Sequence, residues 1–468
     1  MFWAATSLEG IVLPNATTWT AMVLVLLVMI YVRFSKPLQW RHWDLLLLFL
    51  LSIPMLFLRA SQEQRGFAKD IYTAKEFPFL QRAIWSAGLA AAPLQTMTPA
   101  HIFTYWGQDD CRTGEGWEKL HRFDHPGIWR SYFWLLVVSA LILLRSIFDL
   151  GLEQRSEFRS NVTLGGMLWL LGVMLVVMIL KTYFPDWRGV PAPKNPSIVI
   201  DFITSAVSTD GIRHLLAIVC HVTIVVHLFL IGWLRFRNMT IGAAAGLLYL
   251  LMPYTAILLL NPSQVLATVF VIMAVFWYRY PMLTGLLLGL GTSVGIFPAI
   301  LVPLWFGFYY RRGHWRFLTS YLIVIGAMFI VLSAFVGLGA VWNQVWSLAE
   351  WQAWKFASRP TADGLWNTVS LHVAYRIPLL IAFVALVITS AFWPHPKHLG
   401  QLISWSAVLI LGIQFWYADA GGSYILWYLP LLILQTVRPS LTDVRPARIN
   451  QETDRLLKLW RRLSRKAA

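Results

Sequence analysis

Apolar residues run along this chain in blocks of helix length. They fall near positions 18–34, 42–59, 131–145, 162–181, 212–234, 239–260, 263–278, 282–310, 316–337, 376–393, 400–417 and 423–437. Most are long enough to cross about 30 Å of hydrocarbon as a helix. None shows the sustained two-residue alternation of a transmembrane barrel strand, so a barrel is excluded. The pattern predicts an all-α, polytopic membrane protein with about eleven transmembrane helices plus one broken segment, 282–310. No internal repeat is visible, which weighs against transporter folds built from duplicated halves. Three long polar segments, 60–130, 182–211 and 338–375, interrupt the blocks. The chain divides into an apolar domain, 1–437, and a basic tail, 438–468.

The stretch from Asn261 to Arg312 carries the strongest local signal. A helix-length run opens at Asn261-Pro262-Ser263-Gln264 and closes at Tyr278-Arg279-Tyr280-Pro281. A second apolar run follows, broken in its middle by Gly295 and Pro298 and closed by Arg311 and Arg312. Helix breakers are tolerated at membrane depth only where protein or a water-filled cavity covers the freed backbone groups. This region is therefore expected to surround a site. Segment 282–310 is read as entering and leaving on one side, with a single kinked span as the alternative.

Charge refines the picture. Hydrophobic residues make up 58% of the chain and charged ones 13%, with a mean hydropathy of +0.61. The net charge of +16 does not point to nucleic acid, because nine of the 38 basic residues lie between Arg438 and Lys466. Within 451–466, Leu456, Leu459, Trp460 and Leu463 share a helical face ringed by Arg and Lys, the pattern of a helix lying on an anionic membrane surface. A solvated tail is the competing reading. Counting Lys and Arg in the short loops (Arg33, Lys36, Arg41; Arg145, Arg155, Arg159; Arg235, Arg237; Arg279; Arg311, Arg312, Arg316; Lys397) puts the N-terminus outside and the C-terminus in the cytoplasm. The three long polar segments then lie outside. The first 32 residues hold no Lys or Arg, so the first run is expected to be a retained helix rather than a signal peptide. Cys111 and Cys220 give neither a disulfide framework nor a metal spacing.

Chemistry must come from the outer segments. Asp70, 11 residues past Arg59, is the first candidate for a general base toward an acceptor hydroxyl. Asp109 and Asp110 sit in the densest polar cluster and suit Mg²⁺ or Mn²⁺. Each acid has a plainer reading as a solvated loop residue, and so do Asp186, Asp201, Asp210, Asp363 and Asp419. In the last long segment, Trp346, Trp351, Trp354 and Trp366 alternate with Glu350, Lys355 and Arg359. Trp faces stack on sugars, and Lys or Arg binds phosphate; an interfacial aromatic belt explains the Trp residues equally well. His214, His221 and His227 share one helix with no carboxylate to complete a metal set, and a structural or pore-lining role is expected. Phosphate-cradling Gly-rich loops, HExxH and the serine nucleophile elbow are absent.

The run LLLGLGTSVGIFPAILVPLWFGFYYRRGHWR resembles a segment of the membrane-embedded, polyprenyl-phosphate-sugar-dependent glycosyltransferases of the type-C fold: a Gly-rich half-helix, an aromatic-Pro step, an apolar half-helix and a basic turn. GGSYILWYLPLLILQ (421–435) is similar to that family's final Tyr-x-x-Trp-x-x-Pro helix, and Asn261–Pro281 to the helix before the break. The resemblance covers about a quarter of the chain. It implies transfer of a sugar from a lipid-linked polyprenyl-phosphate donor to a lipid or envelope-glycan acceptor, in a bacterial inner (cytoplasmic) membrane. It also implies an outer-loop carboxylate (Asp70, or Asp109 and Asp110) as catalytic group, and Lys355, Arg359, Gln264, Trp354 and Trp366 as substrate-binding residues. Where the family has Lys before the aromatic-Pro step, this chain has Gly295-Ile296. Where it has an acid at the preceding helix start, this chain has Ser263-Gln264. Two alternatives follow: an inactive scaffold of the same fold, and a transporter or flippase for a lipid-linked substrate. Buried charges in the spans would favour transport, and the sequence places almost none there.

Overall fold

A computed structural model describes residues 7–8, 11–12, 16–32, 39–73, 126–151, 158, 160–183, 199, 210–259, 262–295, 297–348, 364–368, 375–394, 396–417, 421–441 and 444–445, with the backbone alone at some helix ends. Two two-residue strands, β1 (Ser7–Leu8) and β2 (Ile11–Val12), pair antiparallel. All other regular structure among the described residues is helical. In chain order the helices are α1 (Ala16–Tyr31), α2 (Trp40–Leu50), α3 (Ser52–Thr73), α4 (Pro126–Asp149), α5 (Leu164–Tyr183) and α6 (Asp210–Leu230). One π turn, Ile231–Arg235, extends α6. Then come α7 (Met239–Leu251), α8 (Pro253–Ile257), α9 (Pro262–Phe276), α10 (Pro281–Val294), α11 (Phe297–Ile300) and α12 (Val302–Phe308). The last six are α13 (His314–Val336), α14 (Leu338–Leu348), α15 (Leu365–Thr368), α16 (Arg376–Phe392), α17 (Leu399–Trp416) and α18 (Ile425–Val437).

Six of the described segments are long and apolar enough to cross a membrane: Trp40–Gln62, Gly127–Asp149, Leu164–Thr182, His214–Arg235, His314–Val336 and Leu399–Trp416. The chain is thus a multi-pass integral membrane protein, predominantly helical among the described residues. Six further apolar helices are shorter, at 10–17 residues. A helix of 13 residues, such as α7 or α18, reaches only about 20 Å. The helices differ sharply in what surrounds them. α17 and α18 are enclosed by protein along nearly their whole length, whereas α13 turns Leu322, Ile323, Ile330 and Phe335 outward. A helix apolar all round belongs in the centre of a bundle, and one with exposed large apolar residues belongs against lipid.

The broken segment folds back on itself. α10 ends at Gly295, and α11 and α12 return beside it. The Tyr309 hydroxyl donates to the Tyr278 carbonyl at 2.6 Å and approaches Thr284 Oγ1 at 3.1 Å. Both ends of 281–309 therefore lie at one end of the bundle. α13 then runs parallel to α10. Gly285 lies on the Phe317 carbonyl and Ser320, and Gly289 on Tyr321 and Val324. A Cβ at Gly285 would collide with the Phe317 carbonyl, so glycine there sets the close approach of the two helices. Arg235 joins this end by donating from Nε to the Phe276 carbonyl. The end carrying Arg235, Arg279 and Arg311 is the arginine end below, and the opposite one is the far end.

The arginine end holds a feature that corrects the expectation of almost charge-free spans. Asp149, the last residue of α4, is fully buried. It accepts from Arg438 Nη2 at 2.8 Å and from Ser404 Oγ at 2.7 Å. Arg145, one turn earlier, pairs with Asp44 of α2 at 2.8 Å and lies 3.7 Å from Asp149. Arg41 donates to the Arg438 carbonyl at 3.3 Å. Four pieces of chain far apart in sequence are thus tied by one ionic network. Burial and the neighbouring Arg145 push the Arg438 guanidinium down to about 10. The sequence reading had assigned Arg41, Arg145 and Arg438 to loops and tail, which fits their position at the end of the bundle but misses their burial.

Candidate functional site

At the far end, the break in the returning segment meets the turn before α18. α10 stops at Gly295, whose backbone is extended; Pro298 supplies no N–H to a continued helix, and its ring would clash there with the Val294 carbonyl. The break presents Phe297, which stacks on Trp427 with ring centroids 4.6 Å apart and planes 19° apart. Tyr424 stacks on the same indole at 4.2 Å and 18°. Tyr417 closes the group edge-on to Tyr424 at 5.5 Å and to Trp427 at 6.2 Å. Two of the motifs singled out in the sequence, Gly295–Pro298 and Tyr424–Pro430, are therefore brought together by the fold. The turn between α17 and α18 is tight: Gly422, at φ 99°, donates its N–H to Gln414 Oε1 at 2.9 Å.

α9 supplies the third wall. Thr268 Oγ1 reaches the Leu426 carbonyl at 3.2 Å, next to Trp427. Gln264 lies one turn nearer the far end on the same face. Its side chain is 1% exposed, and neither amide atom has a hydrogen-bond partner among the described residues. The Trp427 indole N–H and Gln414 Nε2 are buried without a partner as well. An unpartnered buried polar group costs on the order of 1–3 kcal/mol, so such a concentration calls for an explanation in function or in bound water. Trp366, on α15, is buried over this end and donates from Nε1 to the Phe415 carbonyl at 3.0 Å. Arg376 ties the start of α16 to the Trp416 carbonyl at 2.7 Å.

The arrangement packs four buried aromatic rings, Phe297, Tyr417, Tyr424 and Trp427, together with buried amide and indole groups that have no partner among the described residues. Aromatic faces bind the apolar faces of sugar rings, and amides select hydroxyls. Of the residues expected to bind substrate, Gln264 and Trp366 lie at this end, and Trp366 has its indole N–H committed to the protein. Asp70 falls within the backbone of α3, with its side chain outside the described residues. Asp210 likewise falls within the backbone of α6, with its side chain outside the described residues. Asp109, Asp110, Asp186, Asp201, Trp354, Lys355, Arg359, Asp363, Asp419 and the tail 451–466 lie outside the described residues. The described residues contain no group of three or more His, Cys, Asp or Glu able to hold a metal. His221 is bonded on both ring nitrogens, to the Tyr249 hydroxyl at 2.8 Å and the Leu259 carbonyl at 3.2 Å, and ties α6 to the loop before α9.

Sequence reasoning passed over Phe297, Tyr417 and Gln414 as binding groups. Phe297 and Tyr417 stand in the quoted motifs or beside them and were legible in principle. Gln414 looked like one polar residue in a long apolar helix, and its only signal was that a buried amide needs a reason. Comparison of the chain with family models, curated proteins and solved structures gives no match.

Proposed function

We propose that the far-end aromatic site binds a polyprenyl-phosphate sugar, and that the protein is a membrane glycosyltransferase of the type-C-like class. The observation that carries this reading is the seating of the Gly295–Pro298 break on the Tyr424–Trp427 stack beside the unpartnered Gln264 amide. In the reaction, an acceptor hydroxyl attacks the anomeric carbon of the sugar. The carbon–oxygen bond to the phosphate breaks, the polyprenyl phosphate leaves, and a carboxylate takes the hydroxyl proton. Asp70 is the first choice for that carboxylate, with Asp109 and Asp110 next. Lys355 and Arg359 are assigned to the phosphate, and Trp354 to the sugar. If Mg²⁺ or Mn²⁺ takes part, Asp109 and Asp110 would hold it; the step as written does not pass through a metal. In this reading the far end faces outward and the arginine end faces the cytoplasm of a bacterial inner membrane, with about eleven spans and 281–309 re-entrant.

The test is reconstitution with a panel of polyprenyl-phosphate sugars, with mass spectrometry of the lipid and glycan products. Trp427→Ala and Asp70→Asn are expected to abolish transfer while the protein still inserts; loss of a general base alone costs about 10²–10⁴-fold in rate. Transfer by both variants at the wild-type rate would sink the site and the base together. Transport is the second reading, and the ionic network at the arginine end favours it, since a charged floor can serve as a gate. Its charges are mutually paired and lie at one end rather than at mid-depth, which suits a closed floor better than a pathway. Movement of labelled lipid-linked sugar across proteoliposomes without transfer would decide for transport.

A further inference from the structure

The surface of the arginine end is built from three turns that the functional reading does not use. The π turn ends in Arg235 and the turn after it carries Arg237, the turn after α9 carries Arg279, and the turn after α12 carries Arg311. They form one patch. Arg235 lies over the Phe276 ring at 4.8 Å and the Tyr278 ring at 5.4 Å, and Arg279 lies over Tyr278 at 5.9 Å. Tyr278 is bonded through its carbonyl to Tyr309, two residues before Arg311, and Arg311 covers the Tyr310 ring at 5.4 Å. Of the carboxylates whose side chains are described, Asp44 and Asp149, both are committed to the buried network. Around the guanidinium groups, Trp233, Tyr280, Tyr310 and Trp315 are exposed, the residue types that settle at the level of lipid headgroups.

Backbone conformation adds an independent observation. Two described non-glycine residues have positive φ, and both are arginines of this patch: Arg237 at 56° and Arg311 at 58°. The left-handed region disfavours any residue with a Cβ, and glycine would occupy it freely. Arginine at both positions is best explained by what its side chain does. Strain of this kind points from an observed outlier to a function.

We propose that this patch is a binding surface for anionic phospholipid headgroups in the leaflet bordering the arginine end, with Arg237, Arg279 and Arg311 holding the phosphodiesters. Guanidinium groups suit phosphate oxygens through paired, charge-assisted hydrogen bonds. The exposed Trp and Tyr rings hold them at headgroup depth, which a free anion would not require. Because two of the three turns begin and end the returning segment 281–309, bound lipid also braces the hairpin that supports the far-end site.

The test uses the full chain in nanodiscs of phosphatidylcholine with and without phosphatidylglycerol. Native mass spectrometry reads the phosphatidylglycerol retained, and thermal unfolding reads the stabilisation. Arg237→Gly with Arg311→Gly relieves the backbone and removes two charges. In phosphatidylcholine this variant is expected to unfold at the wild-type temperature or above. Its phosphatidylglycerol affinity should fall by about fivefold per charge, or roughly 25-fold for the pair, and most of the lipid-induced rise in unfolding temperature should disappear. The tail 451–466 is intact in every variant, so its contribution cancels. Wild-type retention and an unchanged rise in the double variant would overturn the proposal. So would an equal rise produced by inorganic phosphate in phosphatidylcholine alone. Should the double variant fail to insert, Arg279→Gln, an exposed side chain bonded only to Tyr278 among the described residues, gives the same reading; unchanged retention there is equally fatal.

Discussion

Arg438→Met removes one partner of the ionic network at the arginine end and leaves Asp149 buried. Arg438 is 1% exposed and Asp149 0%, so water cannot replace the lost guanidinium. Deleting one member of a buried pair typically costs 3–5 kcal/mol. Asp149 keeps Ser404 at 2.7 Å and Arg145 at 3.7 Å, which places the expected loss near the bottom of that range, at about 3 kcal/mol. Asp149→Asn in the same chain removes the stranded charge while its amide oxygen still accepts from Ser404. The double variant should therefore recover most of the loss and remain within about 1.5 kcal/mol of wild type, as volume-conserving replacements of paired groups do. The coupling energy is about 2 kcal/mol or more by double-mutant cycle. The assay is reversible unfolding in mixed detergent micelles followed by far-UV circular dichroism, with wild type, both single variants and the double measured side by side. A loss under about 1 kcal/mol for Arg438→Met, or a double variant as costly as the two singles added, would refute the claim that these charges are held together in a dry environment.

Gly400→Ala places a methyl group on the Arg438 guanidinium. It should cost about 1–3 kcal/mol by overpacking, and the cost should vanish in an Arg438→Met background measured in the same micelles. His398 caps α17 by accepting the Gln401 N–H at Nδ1, which needs the unprotonated ring, and burial followed by Arg438 and Arg445 pushes its pKa down to about 4. The unfolded chain then binds the extra proton first, so this contribution is complete above pH 6.5 and is lost as pH falls toward 4. His398→Asn, which keeps a capping acceptor, should flatten the stability profile in that window, and an unchanged acid limb would show that His398 does not titrate as described. Gln264→Leu should leave folding stability unchanged or raise it by about 1 kcal/mol, because it removes an unpartnered buried amide. The same variant should lose transfer activity in the reconstituted assay, and a drop in both readouts would mean that the amide serves the fold instead.

Much of the architecture was legible because membrane depth leaves few options. A long apolar run must be helical, and the Gly295–Pro298 interruption had to be buried by protein; it is, against Trp427. The pairing of that break with Tyr424–Pro430 was visible only as two motifs in the order of the family they resemble, and the stack itself needed the tertiary fold. Six of the described segments are long enough to span, and runs 239–260 and 423–437 hold helices of only 13 residues at 239–251 and 425–437. The ionic network was hidden for a physical reason. Each of Asp44, Arg145, Asp149 and Arg438 sits at a helix end, where a charge ordinarily meets water, and each finds its partner 101 to 289 residues away. Counting basic residues in loops treats these arginines as orientation signals and cannot tell a solvated one from a sequestered one.

The length of that last separation bears on how the protein is made. Arg145 and Asp149 enter the bilayer 289 residues before Arg438 leaves the ribosome, which at 5–20 residues per second is roughly 15–60 s. Throughout that interval the end of α4 carries a carboxylate whose final partner does not yet exist. Asp44 has already emerged and can hold Arg145, so the early pair guards the nascent chain until the late one forms. A chain that ends before residue 438 leaves Asp149 at the membrane edge with Arg145, 3.7 Å away, in place of the closer Arg438.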